Sequence, residues 1–309
     1  MRSVGRLYPV LIMILFLSTT LSGNGIDGAF SNLRGLRPYP MGKGRLGLAL
    51  FEEYSKAEMR SGYSGEYFMT TRAALAYGLT GSLDLKFTMP YYTDVLDNFR
   101  YGPGDISLGG KWTPSFIQYS SWFNSVQILV ALPTGFKEDP AVKAYPYLRP
   151  YSSRSTSLLF SYHTEFKYSQ FSFTLNLSYF TLPHSDSLMY KNQILYRIGE
   201  GYQGLDATGT MGTSCPQYPF AISLAYQWHP KCRFYLEYAG AMLRSRAAQI
   251  NDPVTLTPGL SWTLSKNLSF NGAVDFDLFE TMPDYTVLVG LTFVKDLMAV
   301  PVTVEEYPI

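Results

Sequence analysis

The sequence predicts an all-β protein, a transmembrane antiparallel up-and-down β-barrel of about twelve strands that is preceded by a cleaved signal peptide. Apolar and polar residues alternate with a period of two in one segment after another, and the connections between these segments alternate between short and long. Only 16% of the 309 residues are charged, whereas an ordinary soluble domain carries about 25%. The mean hydropathy of -0.03 is too low for a bundle of membrane helices, and the net charge of +1 gives no reason to expect nucleic acid as a partner.

The N-terminus has the pattern of a secretory signal peptide. Arg2 and Arg6 precede an apolar run at residues 8–17, which is followed by small and polar residues. The alternative, a transmembrane anchor, needs about 20 apolar residues, roughly twice the length of this run. We therefore divide the chain into a signal peptide at 1–24, a periplasmic N-terminal segment at 25–43, the barrel at 44–295 and a periplasmic C-terminal tail at 296–309.

The alternation is clearest at residues 171–179, where Phe171 and Phe173 share one face and Ser172 and Thr174 share the other. The same pattern gives candidate strands of 11 or 12 residues throughout the chain. Each of these is long enough to cross a bilayer, because a tilted strand needs about 9–11 residues. The candidate strands are 44–55, 66–77, 82–92, 103–113, 122–132, 155–166, 171–181, 219–229, 232–243, 253–263, 268–278 and 284–295.

The connections and the tryptophans give the barrel an orientation. The short connections include residues 79–81, 168–170 and 230–231, and outer-membrane barrels have tight periplasmic turns and long external loops. All four tryptophans fall near strand ends that this topology places at the periplasmic side, where they would form an interfacial girdle. A simple preference of tryptophan for strands is the alternative explanation. The girdle residues are Trp112, Trp122, Trp228 and Trp262.

The polar face of the strands decides between a membrane barrel and a soluble secreted β-protein. This face carries mostly Ser, Thr, Asn, Gly and Ala, with fewer ions than a solvent-exposed face usually has. Twelve strands closed with the apolar face inward would leave a lumen too wide to fill, since about eight strands is the size that side chains can fill. With the apolar face outward, lipid covers it, closure removes the unpaired strand edges, and the polar face lines a narrow wet channel.

Short motifs resemble those of a family of bacterial outer-membrane barrels. Residues 102–112 (GPGDISLGGKW) resemble a signature strand of bacterial outer-membrane barrels. Residues 126–135 (VQILVALPTG), 261–276 and 283–293 resemble segments of the transporters linked to the meta-pathway of phenol degradation. The resemblance implies a barrel that moves small, often aromatic, molecules across the outer membrane. Many such barrels end on the aromatic residue of the last strand, whereas here a tail follows Phe293. Either the tail is accommodated or the last predicted strand is misplaced.

With lipid on the apolar side, charged residues of both signs fall on the luminal face of the strands. They could form a mixed-charge constriction that sorts small polar solutes. They could equally pair with one another across strands and brace or plug the barrel, because burial makes unpaired ions costly. The pore-lining candidates are Arg72, Asp84, Lys86, Asp105, Lys111, His163, Glu165, Arg233, Glu237, Asp275 and Asp277.

No constellation of residues in the sequence indicates an enzyme, a metal site or a cofactor site. The three histidines are far apart in the chain, which excludes a three-histidine metal site in this topology. Ser161, His163 and Glu165 lie about 7 Å apart along one strand face, too far for the contact that a nucleophile and its base need. A whole strand separates Cys215 from Cys232, so we predict no disulfide bond between them.

These observations favour an outer-membrane channel or transporter through which small solutes, aromatic or otherwise hydrophobic, diffuse passively. The alternative is a structural or adhesive barrel with a closed lumen, whose long external loops, 182–218 above all, bind a partner. A soluble secreted binding protein is a third hypothesis, which cell fractionation would separate from both. The expected partners of a channel are outer-membrane lipid, a small-molecule solute and the outer-membrane assembly machinery.

Overall fold

The computed structural model describes residues 37–57, 66–94, 100–115, 121–135, 156–181, 196–198, 201–203, 217–243, 254–278 and 285–298. These residues form fifteen β-strands, two of which make a separate small hairpin. The strands are β1 (Arg45–Ala57), β2 (Glu66–Gly78), β3 (Leu83–Asp94), β4 (Arg100–Pro103), β5 (Ile106–Trp112), β6 (Trp122–Leu132), β7 (Ser157–Tyr168), β8 (Phe171–Thr181), β9 (Tyr196–Ile198), β10 (Gly201–Gln203), β11 (Gln217–His229), β12 (Cys232–Leu243), β13 (Val254–Thr263), β14 (Leu268–Asp277) and β15 (Tyr285–Asp296).

The large sheet closes on itself. Its neighbouring strands are antiparallel, and β1 pairs with β2 on one side and with the last strand, β15, on the other. β4 and β5 both pair with β3 and together take the place of one strand. Among the described residues the barrel therefore has twelve strand positions, and the predicted all-β up-and-down barrel is confirmed.

The observed strands match the predicted ones closely, with two departures. The predicted fourth strand, 103–113, is interrupted between β4 and β5. Pro90 on β3 has no N–H to offer at this point, and its carbonyl accepts a hydrogen bond from the amide of Gly104 at 2.8 Å instead. The hairpin of β9 and β10 falls within 182–218, which the sequence analysis treats as a loop. The last strand is not misplaced, because Phe293 lies within β15 opposite Leu48.

The two faces of the barrel wall differ in the way that the sequence predicts. Leu177 and Leu224 point outward and expose 49% and 52% of their surface. Thr174 and Ser223 point to the opposite face and are fully buried. The barrel is therefore apolar outside and polar inside, an arrangement that suits a wall between lipid and water.

The short connections lie together at one end of the barrel. They are residues 79–82, 169–170, 230–231 and 264–267. The hydroxyl of Thr80 accepts hydrogen bonds from the amides of Ser82 and Leu83 at 3.1 and 3.0 Å, which closes the first turn. Short turns face the periplasm in outer-membrane barrels. We call this end the short-turn end; most connections at the opposite end lie outside the described residues.

The four girdle tryptophans are exposed on the outer surface near the short-turn end. Trp112 lies opposite Leu83, the first residue of β3, and Trp262 lies opposite Cys232, the first residue of β12. Cys232 is buried and its thiol is free, whereas Cys215 lies outside the described residues. The absence of a disulfide bond between the two stays a prediction. In the part of the chain that the structure describes, no helix is long and apolar enough to cross a membrane.

Candidate functional site

The pore-lining candidates lie on the luminal side of the wall. Nine of the eleven are buried, and Arg233 and Asp277 are half-buried. Their neighbours along the strand point the other way: Leu85, between Asp84 and Lys86, is exposed on the outer surface. The charges therefore face the lumen, where other polar groups or water can solvate them.

Some of these charges pair across neighbouring strands. Lys111 on β5 lies opposite Asp84 on β3, and its Nζ is 3.4 Å from Oδ2 of that aspartate. Arg72 on β2 is 3.3 Å from Glu53 on β1. All four side chains are buried, and pairing offsets the high cost of placing a single charge there.

The lumen wall also carries a cluster of apolar side chains, next to the Arg72–Glu53 pair. Phe51, Leu288 and Tyr235 belong to one cluster of buried residues, together with small alanines, on β1, β2, β11, β12, β14 and β15. Glycines lie beneath the two rings. A Cβ on Gly290 would lie 2.2 Å from the ring of Phe51, and one on Gly259 would lie 2.4 Å from the ring of Tyr235. Because glycine has no side chain, both rings lie directly against the backbone of the wall.

Residues 37–44, which precede β1, lie in the mouth of the lumen at the short-turn end; we call them the strap. Its sequence is RPYPMGKG. Because Pro38 and Pro40 have no N–H, the strap brings few backbone donors into the lumen. The carbonyl of Pro38 accepts a hydrogen bond from the hydroxyl of Thr113 at 3.0 Å. A wall side chain thus supplies the partner that a second strand would supply in a sheet.

The Asp84–Lys111 pair holds the middle of the strap. Nζ of Lys111 donates to the carbonyl of Tyr39 at 2.6 Å and to that of Arg37 at 3.4 Å. The Asp84 carboxylate accepts from the amide of Met41, at 2.9 Å to one oxygen and 3.1 Å to the other. The two members of one ion pair therefore bind a carbonyl and an amide of the same short segment.

Glu165 on β7 holds the start of the strap. The Arg37 guanidinium binds both of its carboxylate oxygens, at 2.8 and 3.0 Å, and the hydroxyl of Tyr39 donates to Oε1 at 3.1 Å. Such two-pronged charged hydrogen bonds are among the strongest in proteins. Burial alone would lower the pKa of Arg37, but the Glu165 carboxylate outweighs it and raises that pKa. Burial and the same carboxylate raise the pKa of Tyr39, which keeps its proton as a donor.

The ring of Tyr39 also packs against the wall. Its centroid is 4.7 Å from that of Phe123 on β6, and the ammonium of Lys167 on β7 lies 4.3 Å from the Tyr39 centroid. A cation at that distance is attracted by the face of the ring. Tyr39 therefore contacts the wall through its hydroxyl, its ring and its carbonyl.

The strap leaves the mouth through a close approach of two backbones. The amide of Gly44 donates to the carbonyl of Gly78 at 2.8 Å. A Cβ on Gly78 would lie 1.8 Å from the carbonyl oxygen of Gly42, so that a residue with a side chain does not fit there. Gly42 and Gly44 have φ angles of 89° and 76°, in the left-handed region that favours glycine.

The sequence analysis did not identify the strap or two of the side chains that hold it, Thr113 and Phe123. It assigned residues 25–43 to a periplasmic segment from their position alone. The available signal was the run Arg37-Pro-Tyr-Pro just before the first strand, a stiff stretch with few donors that ends in glycines. The partners of this stretch lie more than 40 residues away in the chain, so that no local pattern connects them.

Ser161, His163 and Glu165, which share one face of β7, contact other residues of the barrel and the strap. The hydroxyl of Ser161 accepts a hydrogen bond from that of Ser178 at 2.9 Å, and Glu165 binds the strap. His163 is fully buried, opposite Ser125 and Asn176 in the sheet. Among the described residues, no group of three His, Cys, Asp or Glu side chains could hold a metal ion.

The fold is similar to that of solved outer-membrane channels. One is an outer membrane channel from Pseudomonas putida F1, with 13% identity over 84% of this chain and 98% of that chain and a TM-score of 0.56. Another is the NanC porin, with 8% identity over 80% of this chain and 98% of that chain and a TM-score of 0.52. No protein-family model matches the chain, and no curated protein gives a significant match.

The protein therefore has the fold of an outer-membrane β-barrel. Its apolar exterior, its strand lengths and the similarity of its fold to these two structures agree on this point, and the predicted outer-membrane location is confirmed.

Proposed function

We propose that the protein is an outer-membrane channel through which small solutes diffuse passively. The observation that carries this proposal is the two-sided wall, which is apolar toward lipid and lined with hydroxyl, amide and ionic groups toward the lumen. Such a wall suits a wet path through a bilayer. The similarity in fold to two solved channels supports the same function.

The composition of the lumen wall supports solutes that combine an apolar ring or chain with a polar group. Phe51, Leu288 and Tyr235 belong to its apolar cluster, and the charged pair of Asp84 and Lys111 lies on β3 and β5 of the same wall. The family resemblance in the sequence, which implies small and often aromatic solutes, agrees with this choice. Outer-membrane lipid and the outer-membrane assembly machinery are the other partners that we propose.

Recordings from planar lipid bilayers test the channel directly. The full mature chain is refolded, its folded state is verified by heat-modifiable migration on a gel, and solute entry is measured in parallel by swelling of liposomes. We expect discrete conductance steps and swelling with small solutes, neither of which the heat-denatured protein should give. Folded protein with neither conductance nor solute flux would contradict the proposal.

A closed structural or adhesive barrel is a second candidate, because the luminal side chains Lys111, His163 and Glu165 are fully buried in this conformation. In that case an external connection would bind the partner. A variant without residues 182–216 should then lose adhesion of the cells that carry it, while its heat-modifiable migration is kept. Unchanged adhesion by that variant would count against this candidate.

A further inference from the structure

We propose that the strap is a gate that closes the short-turn mouth of the pore, and that Glu165 is the positioning residue that keeps it seated. This inference rests on the proposed channel function. It adds a closed state, an open state and the contact that selects between them.

The strap runs along the inner wall of the mouth and narrows it. Its contacts fall in turn on β2, β3, β5, β6 and β7, which are successive positions of the twelve-position barrel. Twelve strands about 4.8 Å apart and tilted by about 40° give a barrel about 24 Å across between opposite backbones, and the side chains of the wall narrow the opening further. A segment that lies inside one half of this wall therefore takes up much of the opening.

The contacts of the strap with the wall are of a kind that can be broken and remade. Most of them are hydrogen bonds and ion pairs to Glu165, Lys111, Asp84 and Thr113, side chains that water can solvate if the strap leaves. The apolar contacts are those of the Tyr39 ring with Phe123 and of the Met41 side chain with Ala76 and Val294. The two prolines prevent the strap from pairing as a strand of the sheet. The twelve-position barrel closes through its own strand pairs, so that release of the strap leaves the sheet intact.

Glu165 is the contact to change, because it binds the side chains of both Arg37 and Tyr39 at the far end of the strap, whereas Lys111 binds their backbone carbonyls. In planar bilayers, Glu165→Gln should raise the open probability about tenfold to a hundredfold, since it removes a charged partner from several hydrogen bonds. Glu165→Asp keeps the charge and should restore most of the closed time. Glu52→Gln, which removes a carboxylate from the outer face of the wall between the buried Phe51 and Glu53, should behave like the wild type.

A second measurement follows the strap itself. A cysteine is placed at Met41, a fully buried strap residue whose amide still bonds Asp84 after the change, in a chain with both natural cysteines changed to serine. Its reaction rate with a membrane-impermeant maleimide is measured in folded protein. The rate should rise in the Glu165→Gln background and fall back in the Glu165→Asp background. A mere loss of barrel stability would change heat-modifiable migration instead, and we expect that migration to stay the same.

The outcomes separate the gate from the channel. If wild type and Glu165→Gln are both folded and conduct equally, the gate is wrong and the channel stands. If no folded variant conducts, the channel is wrong and the gate falls with it. Higher open probability together with faster labelling at residue 41 supports both.

Discussion

Removal of either member of the ion pair between Lys111 and Asp84 should be among the most destabilising single substitutions in the barrel. Both side chains are fully buried, their charged atoms are 3.4 Å apart, and each also binds the strap. Lys111→Met keeps most of the apolar stem of the side chain but leaves the Asp84 carboxylate without its counter-ion. Breaking a buried pair in this way typically costs about 3–5 kcal/mol.

The double variant distinguishes the pair from the two residues taken singly. We expect Asp84→Asn alone to cost about 3–5 kcal/mol for the same reason, because it leaves a buried ammonium. Lys111→Met with Asp84→Asn should cost about as much as one single variant, since neither charge then remains unpaired. The coupling free energy would be about 3 kcal/mol, well above the few tenths expected of independent sites.

Urea unfolding in lipid vesicles, followed by the fluorescence of the four tryptophans, measures these free energies. Lys295→Met serves as the control, because Lys295 is exposed on the outer face and its loss should stay within about 0.5 kcal/mol. If the costs of the two single variants simply add in the double variant, the two charges do not stabilise one another and the reasoning from burial is refuted.

Three further predictions follow from the wall itself. Gly290→Val should lower the free energy of unfolding by about 1–3 kcal/mol through its clash with Phe51, and in urea titrations this cost should largely vanish when Phe51→Ala is added; an equal cost in both backgrounds would argue against the clash. Alkylation of the unreduced, unfolded protein should add two labels by mass, one each on Cys215 and Cys232; no labelling would reveal the crosslink that we exclude. Brominated lipids should quench the fluorescence of all four girdle tryptophans; insensitivity to bromine at every acyl-chain depth would contradict the girdle.

Much of the barrel could be predicted because its information is local. The alternation at residues 171–181 fixes which side chains of β8 face lipid, and a shift of one residue would reverse every one of them. Two-residue connections such as 230–231 fix the antiparallel pairing of their strands. The even strand count and the orientation then follow from repeating these local patterns around a closed wall.

The strap and the interruption of the fourth strand could not be predicted in the same way. Arg37 and Glu165 are 128 residues apart, and their contact depends on which strands come to lie on opposite sides of the closed barrel. The break between β4 and β5 follows directly after Pro103, at the point where the amide of Gly104 bonds the carbonyl of Pro90 on the neighbouring strand. Both features arise from tertiary pairing, which periodicity within a segment does not encode.

The width of a twelve-position barrel explains why buried luminal charges and the strap occur together. Side chains alone fill a lumen of about eight strands, so a wider barrel is either wet or filled by another segment. An apolar segment would have to expose its surface to water whenever it left, at roughly 25 cal/mol for each Å². A segment held by Glu165, Asp84 and Lys111 exchanges its contacts for hydrogen bonds to water, and the net difference per bond is only about 0.5–3 kcal/mol. Polar anchoring therefore makes release of the strap less costly than release of an apolar segment, and the loss of one contact shifts the balance toward the open state.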